Sequence, residues 1–235
     1  MAFPLIFRSF YLALGQLADP SFRRVFFLGI ISALLLLIGF TAGFAVFIDW
    51  LTGEENWVPL LGEVTWLDDL FSWGAVLLLA VLSVFLMVPV ASAITSMFLD
   101  DVAEAVERTH YPALPPAAGA SIGDSIRDTI NFLGVLIAAN LFALALYVFF
   151  APFAPFIFWA LNGFLLGREY YTMAAMRRVG RARARQLRRR HMATIWAAGV
   201  LMAVPLSIPL LNLLIPILGA ATFTHLFHVL PHPKD

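Results

Sequence analysis

The 235-residue chain is 61% hydrophobic and only 13% charged, with a mean hydropathy of +0.88 and a formal net charge of zero. A soluble domain is usually about half apolar and a quarter charged, so this composition predicts an integral membrane protein. Cysteine is absent, which excludes disulfides, thiolate catalysis and Cys-ligated metal.

In chain order, Phe3, Phe7, Phe10, Leu14 and Leu17 recur at helical spacing, with Arg8 and Gln16 off that stripe. The pattern predicts an amphipathic helix over 3–17 lying in the membrane interface. Arg8 interrupts the apolar stretch and no small-x-small site precedes Asp19, so this segment does not read as a cleaved leader. Asp19 and Pro20 then open a helix over 20–48, whose run from Val25 to Ile48 carries no charge and is long enough to span a bilayer. A second uncharged span is expected over 70–99, kinked at Pro89. Between the two lie Asp49, Glu54, Glu55, Glu63, Asp68 and Asp69 without a lysine or arginine, flanked by Trp50, Trp57, Trp66 and Trp73. The positive-inside rule puts that loop outside, and the N-terminus and the segment from Asp100 in the cytoplasm.

The next apolar block, 130–166, is too long for one span and is broken by Pro152 and Pro155; the block 192–230 is broken in the same way by Pro205 and Pro209. Between them lies a basic segment, 168–191, holding Arg168, Arg177, Arg178, Arg181, Arg183, Arg185, Arg188, Arg189 and Arg190, expected on the cytoplasmic side. Both blocks therefore enter and return on one side. Second arms of about 15 residues reach only about 22 Å, less than the roughly 30 Å hydrocarbon core. Partially inserted hairpins are preferred over four full spans. Non-helical backbone at membrane depth must be buried in protein or line a wet cavity, so partial insertion predicts an oligomer. The expected fold class is an all-α integral membrane protein forming one membrane domain over 1–235.

No phosphate-binding glycine loop, H-E-x-x-H or nucleophile elbow is present, and no enzyme is expected. Glu107 and His110 match E-x-x-H, but a di-iron bundle needs a second copy and two more carboxylates. His225, His228 and His232 fall on roughly one helical face, where interface anchoring explains them better than zinc. The arginine run reads as a topology determinant and anionic-lipid contact rather than a nucleic-acid site, since it has no aromatics for stacking. No cofactor and no metal are expected.

Arg23 and Arg24 sit in the first turn of a helix, the end that already carries partial positive charge. Topology explains them: two cations before a span hold its N-terminus inside. Anion capture explains them equally, because free amides at Ser21, Phe22 and Arg23 would converge on an oxyanion that arginine forks also match.

Four stretches together resemble the CysZ family of bacterial sulfate permeases, whose domain also occurs in an etoposide-induced membrane protein. They are Asp19 to Arg24, "FLDDVAEAVERTHYP" from Phe98, "LNGFLLGREYYTMAAMRR" from Leu161, and "PLLNLLIPILGAATFTHLF" from Pro209. The resemblance implies two long transmembrane helices, two partially inserted hairpins and an interfacial N-terminal helix. It also implies homo-oligomeric sulfate uptake for cysteine biosynthesis across the bacterial inner membrane. In that family sulfate binds at a G-L-R-R turn, matched here by Ser21, Phe22, Arg23 and Arg24, with serine in place of glycine and phenylalanine in place of leucine. It further implies a charge network at Glu104, Glu107 and Arg108, whose three- and four-residue spacings suit one helical face.

The resulting expectation is a sulfate channel or secondary permease, with sulfate and membrane lipids as partners and no nucleic acid. The alternative is a non-transporting membrane scaffold or assembly factor. Asn131, Asn140, Asn162, Asn212 and Arg168 are the polar residues best placed to face a path between subunits, and helix packing accounts for the asparagines as well.

Overall fold

The computed structural model describes residues 3–52, 98–118 and 122–232. The expected span over 70–99, save its last two residues, and most of the acidic tryptophan-flanked loop lie outside them. Among the described residues every regular element is helical: α1 (Phe3–Gly15), α2 (Pro20–Thr52), α3 (Leu99–His110), α4 (Ile122–Phe149), α5 (Ala154–Arg190), α6 (Met192–Ala203), α7 (Pro209–Asn212) and α8 (Ile215–Val229). Short 3-10 turns at Ala151–Phe153 and Val204–Ser207 join α4 to α5 and α6 to α7. The chain divides into two units, Met1–Phe26 with Thr95–Asp235, and Phe27–Ile94. The second is described only as the continuation of α2.

Among the described residues two helices are long and apolar enough to cross a membrane: α2 over Pro20–Phe40 and α4 over Ile126–Phe149. The α4 stretch has 24 residues and a mean hydropathy of 2.3, about 36 Å of helix against a core of roughly 30 Å. Its Ile130, Leu133, Ile137, Leu141, Phe142, Leu144 and Val148 are exposed, as a soluble protein's core helix would not be. α4 thus starts eight residues before the expected block, and this first arm is a full-length helix. Arg127 and Asp128 fall in its second turn, where Asp128 pairs with Arg181 at 3.6 Å, and neither interrupts the helix.

The proline breaks fall where the sequence puts them. Pro152 lies in the first 3-10 turn and Pro155 in the first turn of α5, where a missing N–H costs nothing. Pro205 lies in the second 3-10 turn and Pro209 opens α7 in the same way. The arms of this second turn, α6 and α8, have 12 and 15 residues, about 18 and 22 Å. α5 runs antiparallel against α6 through three glycines: a Cβ on Gly163 would lie 2.5 Å from the Val200 nitrogen, and one on Gly199 would fall on the Gly163 carbonyl oxygen.

The basic segment 168–191 is helical but not straight. Gly180 has φ 71°, a left-handed value that favours glycine. Arg188 Nη1 donates to Thr172 Oγ1 at 2.7 Å across a separation of sixteen residues, which on a straight helix would be about 24 Å. The chain therefore folds back on itself at Gly180.

The core of the first unit is built from Tyr171, Ala175 and Met176 of α5, Val102 and Val106 of α3, Ile215, Phe223 and Phe227 of α8, and Phe22 and Val25 of α2. α1 lies against α8 through Ile6, Ser9 and Ala13, while Phe3, Phe7, Tyr11 and Leu14 remain exposed. Most of its aromatic stripe thus faces outward, and the small residues between form the packing face.

Candidate functional site

α2 begins with its N-terminus tied down by its own chain. The Ser21 amide donates to Asp19 Oδ1 at 2.8 Å and the Arg23 amide to the Asp19 carbonyl at 3.0 Å. Two of the three amides expected to meet an anion are thus occupied by Asp19. Burial alone would raise the Asp19 carboxyl, but the Ser21 amide and the Gln16 side chain outweigh it and hold the group below its ordinary range. Gln16 fixes this turn to α3, its Nε2 reaching the Ala105 carbonyl at 3.1 Å and Thr109 Oγ1 at 3.2 Å.

The four expected sulfate-binding residues part company here. Phe22 is 1% exposed and belongs to the core, and Arg23 points to solvent. Ser21 and Arg24 line a cleft of about 190 Å³ with Val25, Asp101, Glu104 and Arg108. Arg108 Nη2 donates to Ser21 Oγ at 3.1 Å. The cleft therefore brings half of the expected anion turn together with two members of the expected charge network, two arginines facing two carboxylates.

Glu107, the third member, lies elsewhere on α3 and is 5% exposed. It accepts two charge-assisted bonds from Arg178, from Nε at 2.8 Å and Nη2 at 2.7 Å, a forked pair. Arg177 Nη1 stands 3.6 Å from Glu107 Oε2, and its Nε 3.3 Å from Asp100. His228 Nε2 lies 3.1 Å from Glu107 Oε1. Burial pushes this carboxyl up, yet the bonds from His228 and Arg178 and the neighbouring arginine charges prevail and hold it at about 2. A second cleft of about 330 Å³ is lined by Glu107, Arg177 and Arg178, and also by Glu104 and Arg108. Glu104 and Arg108 thus border both clefts.

The family model described as sulfate transporter CysZ/etoposide-induced protein 2.4 matches residues 9–216, most of the chain. The chain belongs to this family. No curated protein and no solved structure matches it. With its family and its two long apolar helices, this CysZ-family chain is a membrane protein of the sulfate-transporter type.

The family match ends before α8 finishes, so His225 and His228 fall beyond it. These histidines diverge rather than anchor an interface together. His225 is fully buried with Nδ1 3.1 Å from the Tyr111 hydroxyl, His228 goes to Glu107, and His232 stacks near Phe227. His110, the other half of the E-x-x-H match, sits edge-on to His225 at 4.8 Å. Asn140 and Asn162 donate to the carbonyls four residues back, of Leu136 and Phe158, and so satisfy themselves within their own helices. Sequence reasoning missed Gln16, Arg177, Arg178 and His228 as partners of α3. A run of nine arginines masks which two reach Glu107; the only signal was that Arg177 and Arg178 directly follow the apolar face of α5.

Proposed function

We propose that this CysZ-family protein carries sulfate across the bacterial inner membrane, as a channel or secondary permease supplying cysteine biosynthesis. The observation that supports it is the pair of polar clefts sharing Glu104 and Arg108. Sulfate meets Arg23 and Arg24 at the mouth of α2. Arg108 leaves the Ser21 hydroxyl for the anion, adding a third guanidinium and freeing that hydroxyl to donate. The second cleft, with Arg177 and Arg178, continues the polar route past α3.

In this reading the exposed aromatic face of α1 lies in the interface, the short α6 and α8 arms insert partway, and a homo-oligomer covers the backbone at their turns. The protein is then multi-pass, with membrane lipids around it. Asp101 and Glu104 oppose an anion in the cleft, so occupancy is brief, as a conducting site requires.

Sulfate uptake into liposomes containing only this protein tests the reading. The wild type should exceed empty liposomes clearly. Arg23→Ala with Arg24→Ala should reduce uptake by about 10- to 100-fold, since a charge-assisted bond contributes about 1.5–3 kcal/mol. Wild-type uptake equal to empty liposomes would instead assign the protein to the scaffold class.

A further inference from the structure

Among the described residues a second concentration of arginines lies away from the start of α2. Where the folded-back end of α5 meets the first turns of α4, a cavity of about 690 Å³ is rimmed by Arg127, Arg168, Arg181, Arg185, Arg188 and Arg189. It shares no residue with the Ser21 cleft. The fold at Gly180 creates it by returning Arg181 to Arg189 alongside Arg168.

This concentration of like charge is only partly compensated. Asp128 pairs with Arg181 at 3.6 Å. Arg168 is 7% exposed, and its Nη1 has no hydrogen-bond partner among the described residues although it lines the cavity. A buried guanidinium N–H with no acceptor is costly, and the like charges of the arginines around it add to that cost. A bound oxyanion would relieve both.

The remaining wall indicates which oxyanion. The same cavity is bounded by Val135, Phe164, Met192 and Trp196. Phe164, Met192 and Trp196 also line a second, almost wholly apolar groove of about 760 Å³. That groove runs beside α4 past Ala139, Phe142 and Leu146, with Ala160 and Leu161 of α5 opposite. Because Ile126–Phe149 is one of the two candidate spans, the arginines stand at one end of a span and the groove lies along its length. From Asn131 to Leu146 is about 22 Å of helix, close to the depth of one leaflet. A free sulfate or phosphate has no use for the groove. A lipid with a charged head and an apolar tail fits both parts.

We propose that the arginine cavity and the apolar groove together form one binding site for an anionic phospholipid. Its phosphate is held by Arg168 and the arginines returned at Gly180, and one acyl chain lies along α4. This differs from loose headgroup contact by an arginine run, because it requires α4 and α6 and has a definite capacity. It also stands independently of sulfate transport.

Native mass spectrometry of the detergent-purified full chain, titrated with phosphatidylglycerol or phosphatidylcholine, tests it. Wild-type protein should retain phosphatidylglycerol at least about tenfold more tightly, a difference of about 1.4 kcal/mol. Arg185→Gln with Arg189→Gln should remove that preference, because two phosphate forks are lost. Ala160→Phe, which fills the groove and leaves every arginine in place, should weaken phosphatidylglycerol by a similar factor. Inorganic phosphate in millimolar excess should not displace the lipid from wild-type protein. Equal retention of the two lipids by wild type overturns the proposal. So does displacement by inorganic phosphate with Ala160→Phe unaffected, which would make the cavity a free-anion site. The wild-type arms need no variant to fold.

Discussion

Glu107→Ala destabilises the protein by about 3–5 kcal/mol, the range found when one partner of a buried ion pair is removed. The carboxylate is buried and faces Arg178 through two bonds, with Arg177 and His228 beside it. Deleting it leaves Arg178 Nε and Nη2 without their carboxylate acceptor inside the first unit. Asp101→Ala, an exposed carboxylate of the same helix, should change stability by no more than about 1 kcal/mol. Thermal unfolding of the purified protein in detergent reads both, and equal effects would show that the pair does not hold the core.

The same group sets an acid limit. Its pKa is lowered from 4.5 to about 2 in the folded protein, so the unfolded chain takes up a proton at higher pH than the native one. The stabilisation is full above about 4.5 and drains away as pH falls toward about 2. The gap in unfolding temperature between wild type and Glu107→Gln should therefore stay constant from pH 7 down to about 5 and close below it. A gap that widens on acidification would contradict this origin.

Gly199→Ala costs at least about 3 kcal/mol, the upper end for overpacking. The added carbon would land on the Gly163 carbonyl oxygen, and backbone cannot move aside as a flexible side chain can. α5 and α6 would have to separate, weakening the Trp196 Nε1 bond to the Ala160 carbonyl, now 2.8 Å. Gly134→Ala in α4 meets nothing within 4 Å and should gain about 0.5–1 kcal/mol from helix propensity. A common fall for both would point to a general intolerance of substitution rather than a close helix approach. The contrast is measurable in one melting series.

Composition and periodicity carry the class of this protein. Apolar runs above the bilayer length, proline pairs that break helices and the outward aromatic stripe of α1 are local properties, decided by hydration and by the backbone itself. From them follow a membrane protein, the break at Ala151–Phe153 and that at Val204–Ser207. The four stretches from Asp19 to Phe227 carried the family. The full length of α4 was not legible, because its first two turns, with Asp124, Arg127 and Asp128, lie ahead of the apolar run that begins at Ile130.

Pairing of charges was decided only by the tertiary structure. Nothing local distinguishes Arg178, which grips Glu107, from Arg185, which rims a cavity; both stand in one basic segment. Likewise Ser21 and Phe22 are neighbours in the expected turn, yet one lines the cleft and the other enters the core. A single positive-φ glycine, Gly180, determines which arginines meet Arg168. Sequence patterns report the side-chain chemistry of each helix face, whereas which faces meet depends on turns and close packing among residues far apart in the chain.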